Sequence, residues 1–148
     1  MATISRNKPS VDYIAGLFDG EGWFTISVNK NPPRCKGPAL QIHAAISLRQ
    51  PKVLHEIQKQ FGGTVTLAAK ATTKHAEAWR WRVTGDGALK FAEQVGGKLI
   101  VKKQQAKLAI LFQTLKAQNK NRPSSITRRN QLAKLRERIQ LLNKKGPR

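Results

Sequence analysis

Acidic residues are scarce in this 148-residue sequence: eight Asp and Glu stand against 28 Lys and Arg, a formal charge of +20 at pH 7. Such an excess repels itself when the chain compacts, and it argues against a small anionic metabolite as substrate. A polyanion that supplies counter-charge over a wide surface is the natural partner, nucleic acid first and an anionic membrane surface second. A single cysteine, Cys35, excludes an internal disulfide framework and a multi-cysteine zinc site, and it fits a reducing compartment. The three histidines, His43, His55 and His75, lack zinc-ligand spacing. No eighteen apolar residues run together, and the first ten residues hold two basic side chains but no apolar h-region. The expectation is a chain without a membrane span or a Sec-type leader. Gly96-Gly97-Lys98 lacks the upstream glycine of a phosphate-binding loop, and no serine or cysteine triad is visible.

What is present is enough length for one domain with its own core, over 1–148, and a change of hydrophobic period along it. Ser10, preceded by Pro9, opens a short helix over 11–19 with apolar residues at 11, 14, 15, 17 and 18, and Gly20 and Gly22 bracket Glu21 just after it. The period then becomes 2. Phe24, Ile26 and Val28 face one way in a strand over 23–30, and Leu40, Ile42, Ala44 and Ile46 do so in a second strand beyond a Pro-rich connection over 31–38. Helical spacing returns over 51–61 and ends at Gly62-Gly63. Residues 64–70 and 76–84 read as a hairpin with Val65, Leu67, Trp79, Trp81 and Val83 inward. Helices follow over 86–95 and 99–117. After a break at 119–125, a very basic helix over 127–144 carries Leu132, Leu135, Ile139 and Leu142 on one stripe and Lys134, Arg136, Arg138 and Lys144 around it, with Lys145 just beyond. Antiparallel strands interrupted by helices, without βαβ alternation, predict an α+β fold with the helices on one sheet face. The basic stripe of the last helix is also a membrane-surface pattern; packing on the domain with the basic face toward nucleic acid is the reading adopted, with no membrane partner.

With so few carboxylates, the pair Asp19 and Glu21 at the glycine-bracketed helix end stands out. In a phosphate-binding protein a carboxylate opposes its ligand unless a hard divalent cation bridges them, so oxygen ligation of Mg²⁺ gives this pair a reason. The alternative is an ordinary helix C-terminal turn. Ile14-Ala15-Gly16-Leu17-Phe18-Asp19-Gly20-Glu21-Gly22, followed by Trp23-Phe24-Thr25-Ile26, resembles the motif and first strand of the LAGLIDADG homing endonucleases. Ile46-Ser47-Leu48-Arg49, the Val53–Ile57 helix closing on Phe61-Gly62-Gly63, and the segment Leu99-Ile100-Val101-Lys102-Lys103-Gln104-Gln105-Ala106 resemble further pieces. The resemblance covers a core over 10–116 and leaves a basic C-terminal extension over 119–148.

That resemblance implies a saddle-like four-stranded antiparallel sheet with one motif per chain. It also implies a homodimer whose motif helices meet at the two-fold axis through Ile14, Ala15, Gly16 and Phe18, since no second copy of the motif occurs in the sequence. The implied activity is divalent-metal-dependent hydrolysis of both strands of a long pseudo-palindromic duplex, across the minor groove, leaving short 3′ overhangs. Mg²⁺ is the expected ion, with Mn²⁺ able to substitute and Ca²⁺ supporting binding without turnover. By position, Glu21 is the metal-binding carboxylate, the Gly20 carbonyl a further ligand, Lys102 the basic residue beside the site, and Asp19 a structural element of the helix end. A polar residue, often glutamine, is expected near the end of the second strand, where this sequence has Leu48; Ser47 or Arg49 could take that place. Intron-encoded members imply an organelle or a microbial cytoplasm, and the sequence carries no address that chooses between them.

Alternation places Thr25, Ser27, Asn29, Gln41, His43, Thr66, Lys70, Arg80 and Arg82 on the outward sheet face, a set of donors and acceptors suited to base edges. With Ser47 and Arg49 they form the expected double-stranded DNA contact, and no small-molecule substrate is implied. A solvated strand face is the plain alternative, against which the total charge weighs. Two other functions stay open: a non-cleaving protein on the same fold, either an intron RNA maturase or a DNA-binding regulator, and a structural rRNA-binding protein. The acidic motif weighs against the last.

Overall fold

A computed structural model describes residues 8–29, 39–73, 76–118 and 126–144. The expected 31–38 connection with Cys35, the 119–125 break, His75, Lys145 and the side chain of Asn29 lie outside the described residues. The elements run α1 (Val11–Glu21), β1 (Gly22–Asn29), β2 (Ala39–Leu48), α2 (Lys52–Phe61), β3 (Thr64–Ala69), β4 (Ala78–Thr84), α3 (Gly85–Val95), a 3-10 turn (Gly96–Lys98), α4 (Lys103–Gln118) and α5 (Ile126–Lys144). The four strands form one antiparallel sheet in the order β1-β2-β4-β3, as expected of the α+β class.

Alternation sets the two faces. Phe24, Ile26, Ile42, Ala44, Ile46, Trp81 and Val83 point into one core with side chains of all five helices. Phe91 of α3 lies at its centre, with ring centroids of Phe18, Trp81 and Phe61 at 5.1, 5.0 and 5.1 Å. Aromatic pairs of this kind add about 0.5–1.5 kcal/mol each beyond burial. They anchor the end of α1, because Phe18 lies one turn before Glu21.

α1 starts where Ser10 Oγ accepts the Tyr13 N–H at 3.1 Å. It ends two residues later than the sequence suggests. Gly20 and Glu21 stay helical, and the chain leaves through an extended Gly22 whose N–H caps the Phe18 carbonyl, so Glu21 is the last helical residue rather than part of a turn.

The helix expected over 99–117 starts only at Lys103: the Lys102 carbonyl accepts its first N–H, from Ala106, and the Asp19 carboxylate accepts the N–H groups of Ile100 and Lys102, which have no helical acceptor. Leu67, read as inward, is 41% exposed because β3 is an edge strand with a register shift between Leu67 and Ala69. The other edge is closed by α5. Its stripe Leu132, Leu135 and Ile139 enters the core, while Arg136 Nε and Asn143 Nδ2 donate to the β1 carbonyls of Ile26 (3.0 Å) and Phe24 (2.9 Å). Among the described residues no helix is long and apolar enough to cross a membrane.

Candidate functional site

The end of α1 carries an electrostatic conflict. Asp19 and Glu21 sit in its last turn, at the negative pole of the helix dipole, and the helix has no basic residue of its own there. Lys102 supplies the missing cation from the segment before α4. Its Nζ donates to the Phe18 carbonyl at 3.2 Å and to the Gly22 carbonyl, two of the acceptors around the helix end. Burial lowers the Lys102 pKa from its ordinary value, and the nearby Asp19 and Glu21 carboxylates oppose that shift.

The two acids have different surroundings. Asp19 is half-buried, and its carboxylate accepts the N–H of Ile100 at 2.8 Å and of Lys102 at 3.0 Å, which fixes the segment that carries the lysine. Glu21 is exposed, and among the described residues it makes no hydrogen bond or ion pair. It lines an open cleft of about 630 Å³ with Ser47, Leu48, Arg49 and Gln50 at the end of β2.

Register explains the cleft. Gly22 pairs with Ile46, so the chain end of β2 lies beside Glu21. Leu48, the residue at the position where a polar one was expected, is half-buried and packs against the core. Ser47 donates to the Trp79 carbonyl at 3.3 Å. Arg49 and Gln50, past the strand, are exposed. Gln50 was missed by sequence reading, and the signal that finds it is the β1–β2 register, which alternation does not supply.

The oxygen donors suit a hard divalent cation rather than a soft one. Glu21 offers a free carboxylate, and Gly20 belongs to the last turn, whose carbonyls lack helical partners. Among the described residues no group of three or more His, Cys, Asp or Glu could hold a metal within one chain. At the end of α1 one chain thus brings one carboxylate, Glu21, that has no partner among the described residues.

On the outward sheet face, Ser27, Gln41, Thr66 and Arg82 are exposed, and Thr25, Ser47 and Arg80 half-buried. Two expected contacts differ. His43, on the central strand between Thr25 and Thr84 in register, is only 8% exposed, and its Nε2 meets Ser27 Oγ at 2.6 Å. It supports Ser27 rather than opening to a ligand. Burial, with the Arg82 charge adding to it, lowers the His43 pKa. Lys70 is exposed just beyond the β3 irregularity, so simple alternation no longer assigns it a face.

The expected helix contact also needs correction. Ile14, Ala15 and Phe18 are 0, 2 and 0% exposed inside their own protomer, because they form the core face of α1. The free face is instead Asp12, Tyr13, Gly16, Gly20 and Glu21, flanked by half-exposed Leu17. A Cβ at Gly16 or Gly20 would meet nothing within 4 Å, so neither glycine is required by packing within the chain.

Three similarities bear on this arrangement. The intron-encoded RNA maturase bI4 of Saccharomyces cerevisiae is 31% identical over 88 residues, which are 59% of this chain and 12% of the maturase; the chain spans only that small part of this relative. The homing endonuclease I-CvuI, in complex with the I-CreI target in the presence of Mg and with the DNA not cleaved, has a TM-score of 0.75 at 20% identity, covering 97% of this chain and 88% of that one. The archaeal intron-encoded homing endonuclease I-Vdi141I, complexed with DNA, has a TM-score of 0.75 at 21% identity, covering 93% and 86%. At these identities the structural likeness is one of fold. The model of the LAGLIDADG endonucleases matches residues 14–95, more than half of the chain, and the protein belongs to that family.

Proposed function

We propose that this protein is a homodimeric, sequence-specific endonuclease that hydrolyses both strands of a long pseudo-palindromic DNA duplex with a divalent cation, leaving short 3′ overhangs. The observation that carries the reading is an exposed Glu21 carboxylate, without a hydrogen-bond or ion-pair partner among the described residues, beside Lys102 at the end of a polar and basic sheet face. Glu21 and the Gly20 carbonyl would hold the cation, Mg²⁺ or Mn²⁺, with Ca²⁺ supporting binding alone. Bound there, such an ion supplies Lewis-acid stabilisation of the phosphate and an acidified water. Lys102, kept close by carbonyl acceptors, places positive charge where the phosphate gains negative charge. Gln50, with Ser47 and Arg49, lines the cleft where a water or phosphate oxygen would be oriented.

The homodimer draws support from two glycines. Gly16 and Gly20 each cost a helix about 1 kcal/mol relative to alanine. Their Cβ positions are open, so a second helix can approach closely along the exposed face of α1. One free carboxylate per chain then gives one per strand to be cut, and two-fold symmetry in the protein matches pseudo-palindromy in the target.

Thr25, Ser27, Gln41, Thr66, Arg80 and Arg82 are the proposed DNA contacts, with Arg49, Lys70 and Asn29 at the margins. An intron-encoded origin, in an organelle or a microbial cytoplasm, belongs to the same reading and draws on the yeast intron-encoded relative.

The test is selection of cleaved sites from a randomised duplex library with Mg²⁺, run beside Glu21→Gln. Recovery of one long pseudo-palindromic site cut only by the unmodified protein is the expected result. Cutting by Glu21→Gln would remove Glu21 from the chemistry. The match to bI4 favours one second reading, an intron RNA maturase on the same fold. Selective binding of intron RNA with no cleaved duplex would establish that reading instead.

A further inference from the structure

We propose that Trp23 is a positioning residue that holds Arg80 as a two-pronged contact to the duplex in the part of the sheet face nearest Glu21. The inference rests on the DNA-binding reading above and deepens it.

Trp23 lies opposite Ala45, while Arg80 lies opposite Ser47, one outward-facing row nearer the cleft. The two side chains therefore meet on a diagonal across β2. Ala45 is 1% exposed yet is not part of the core cluster, so it is covered from the outward face; a larger residue there would stand between them. Arg80 Cζ is 5.3 Å from the centroid of the Trp23 ring, within cation–π range.

Among the described residues no other contact of comparable strength orients this guanidinium. Its Nε is buried without a hydrogen-bond partner, and Arg80 has no carboxylate partner among the described residues. The Nε is enclosed by the protein, so what the stacked guanidinium can offer a ligand is its charge and its two Nη groups. Stacking on a ring leaves the Nη donors of arginine free in plane and limits its rotamers before any ligand arrives, which reduces the entropy lost on binding. The fork suits two acceptors side by side, either two phosphate oxygens or O6 and N7 of guanine.

The experiment is a double-mutant cycle of Trp23→Ala, Arg80→Ala and both together, with Trp23→Phe as the conservative variant. Two readouts are taken: affinity for a mixed-sequence duplex across a salt series without divalent cation, and base preference in duplexes bound from a randomised library. Trp23→Ala is expected to lose about three- to fivefold in one readout, Trp23→Phe to stay near the unmodified protein, and the double variant to be no worse than Arg80→Ala. A phosphate contact appears as a salt slope shallower by about one, and a guanine contact as preference relaxed at one base pair. Trp23→Leu, which fills space without a π face, replaces Trp23→Ala if thermal unfolding shows that variant to be unstable. Losses that add in the double variant, or no loss in either readout, overturn the proposal. Failure of the unmodified protein to bind duplex DNA would remove the endonuclease reading and this inference with it, whereas normal binding with an additive cycle removes this inference alone.

Discussion

Asp19 and Lys102 are joined across 83 residues: the Asp19 Oδ1 accepts the Lys102 backbone N–H at 3.0 Å, while Oδ2 accepts that of Ile100 at 2.8 Å. The lysine side chain then turns back to the carbonyls of Phe18 and Gly22 at the same helix end. One carboxylate thereby fixes the segment from which the other's cationic neighbour extends.

Asp19→Ala removes both acceptors. Hydrogen bonds to a charged group are worth about 1.5–3 kcal/mol each, so a stability loss of at least about 2 kcal/mol is expected in denaturant unfolding. On the endonuclease function proposed above, cleavage should fall by about a hundredfold with duplex affinity largely kept, because misplacing a group by about 1 Å is enough for that. Full activity in Asp19→Ala would show that Lys102 is not positioned this way.

Gly22→Ala is expected to destabilise the chain by about 1–3 kcal/mol through overpacking. Its backbone, at φ −106 and ψ 174, is open to any residue, but an added Cβ would collide with the Phe18 ring. The cost is steric, and a thermal midpoint comparison with Gly20→Ala, where the space is open, separates it from a general loss of glycine.

On the homodimer proposed above, Gly16→Arg should leave helix content by circular dichroism unchanged and shift the mass in solution from twice the chain's 16.5 kDa to one chain. Gly16→Ala in a monomeric background should raise stability by about 0.5–1 kcal/mol, the ordinary helix-propensity gain. An unmodified protein that is monomeric while cutting both strands would remove the half-site arrangement.

The lowered His43 pKa sets a pH dependence. The unfolded chain binds this proton near the ordinary value of 6.5 and the folded chain only at lower pH, so stability rises with pH between the two. The contribution is complete above 6.5 and is lost as pH falls through the folded value. Unfolding at pH 7 and pH 5 should show a larger acid loss in the unmodified protein than in His43→Gln; equal losses would assign the acid sensitivity elsewhere.

Arg136→Ala with Asn143→Ala should cost about 1–2 kcal/mol and speed amide exchange in β1 and α5, because two carbonyls on the outer edge of the sheet lose their donors. Unchanged exchange in β1 would mean that the apolar stripe alone seats α5.

Period and punctuation carried much of this fold. The change from helical to strand spacing after α1, the glycine pair that ends α2, and the inward set Phe24, Ile26, Ile42 and Ile46 are local properties that need only the chain's own stereochemistry. The Ile14–Gly22 motif and its following strand were equally legible, because their residues are contiguous and a helix with carboxylates at its negative end breaks an ordinary rule.

Tertiary structure decided what depended on residues far apart. Which face of α1 meets the core was settled by packing in that cluster, where the Phe18 ring meets Phe91 and Ile14 and Ala15 are buried with it, leaving Gly16 and Gly20 outside. Lys102 stands just before α4 rather than inside it, its N–H held by Asp19, 83 residues away. Gln50 entered the cleft through a strand register, and His43 was closed off by its position on a central strand. A sequence states which side chains are available and on which local face they stand; burial and hydrogen-bond competition depend on three-dimensional neighbours, so they are fixed only once the elements pack.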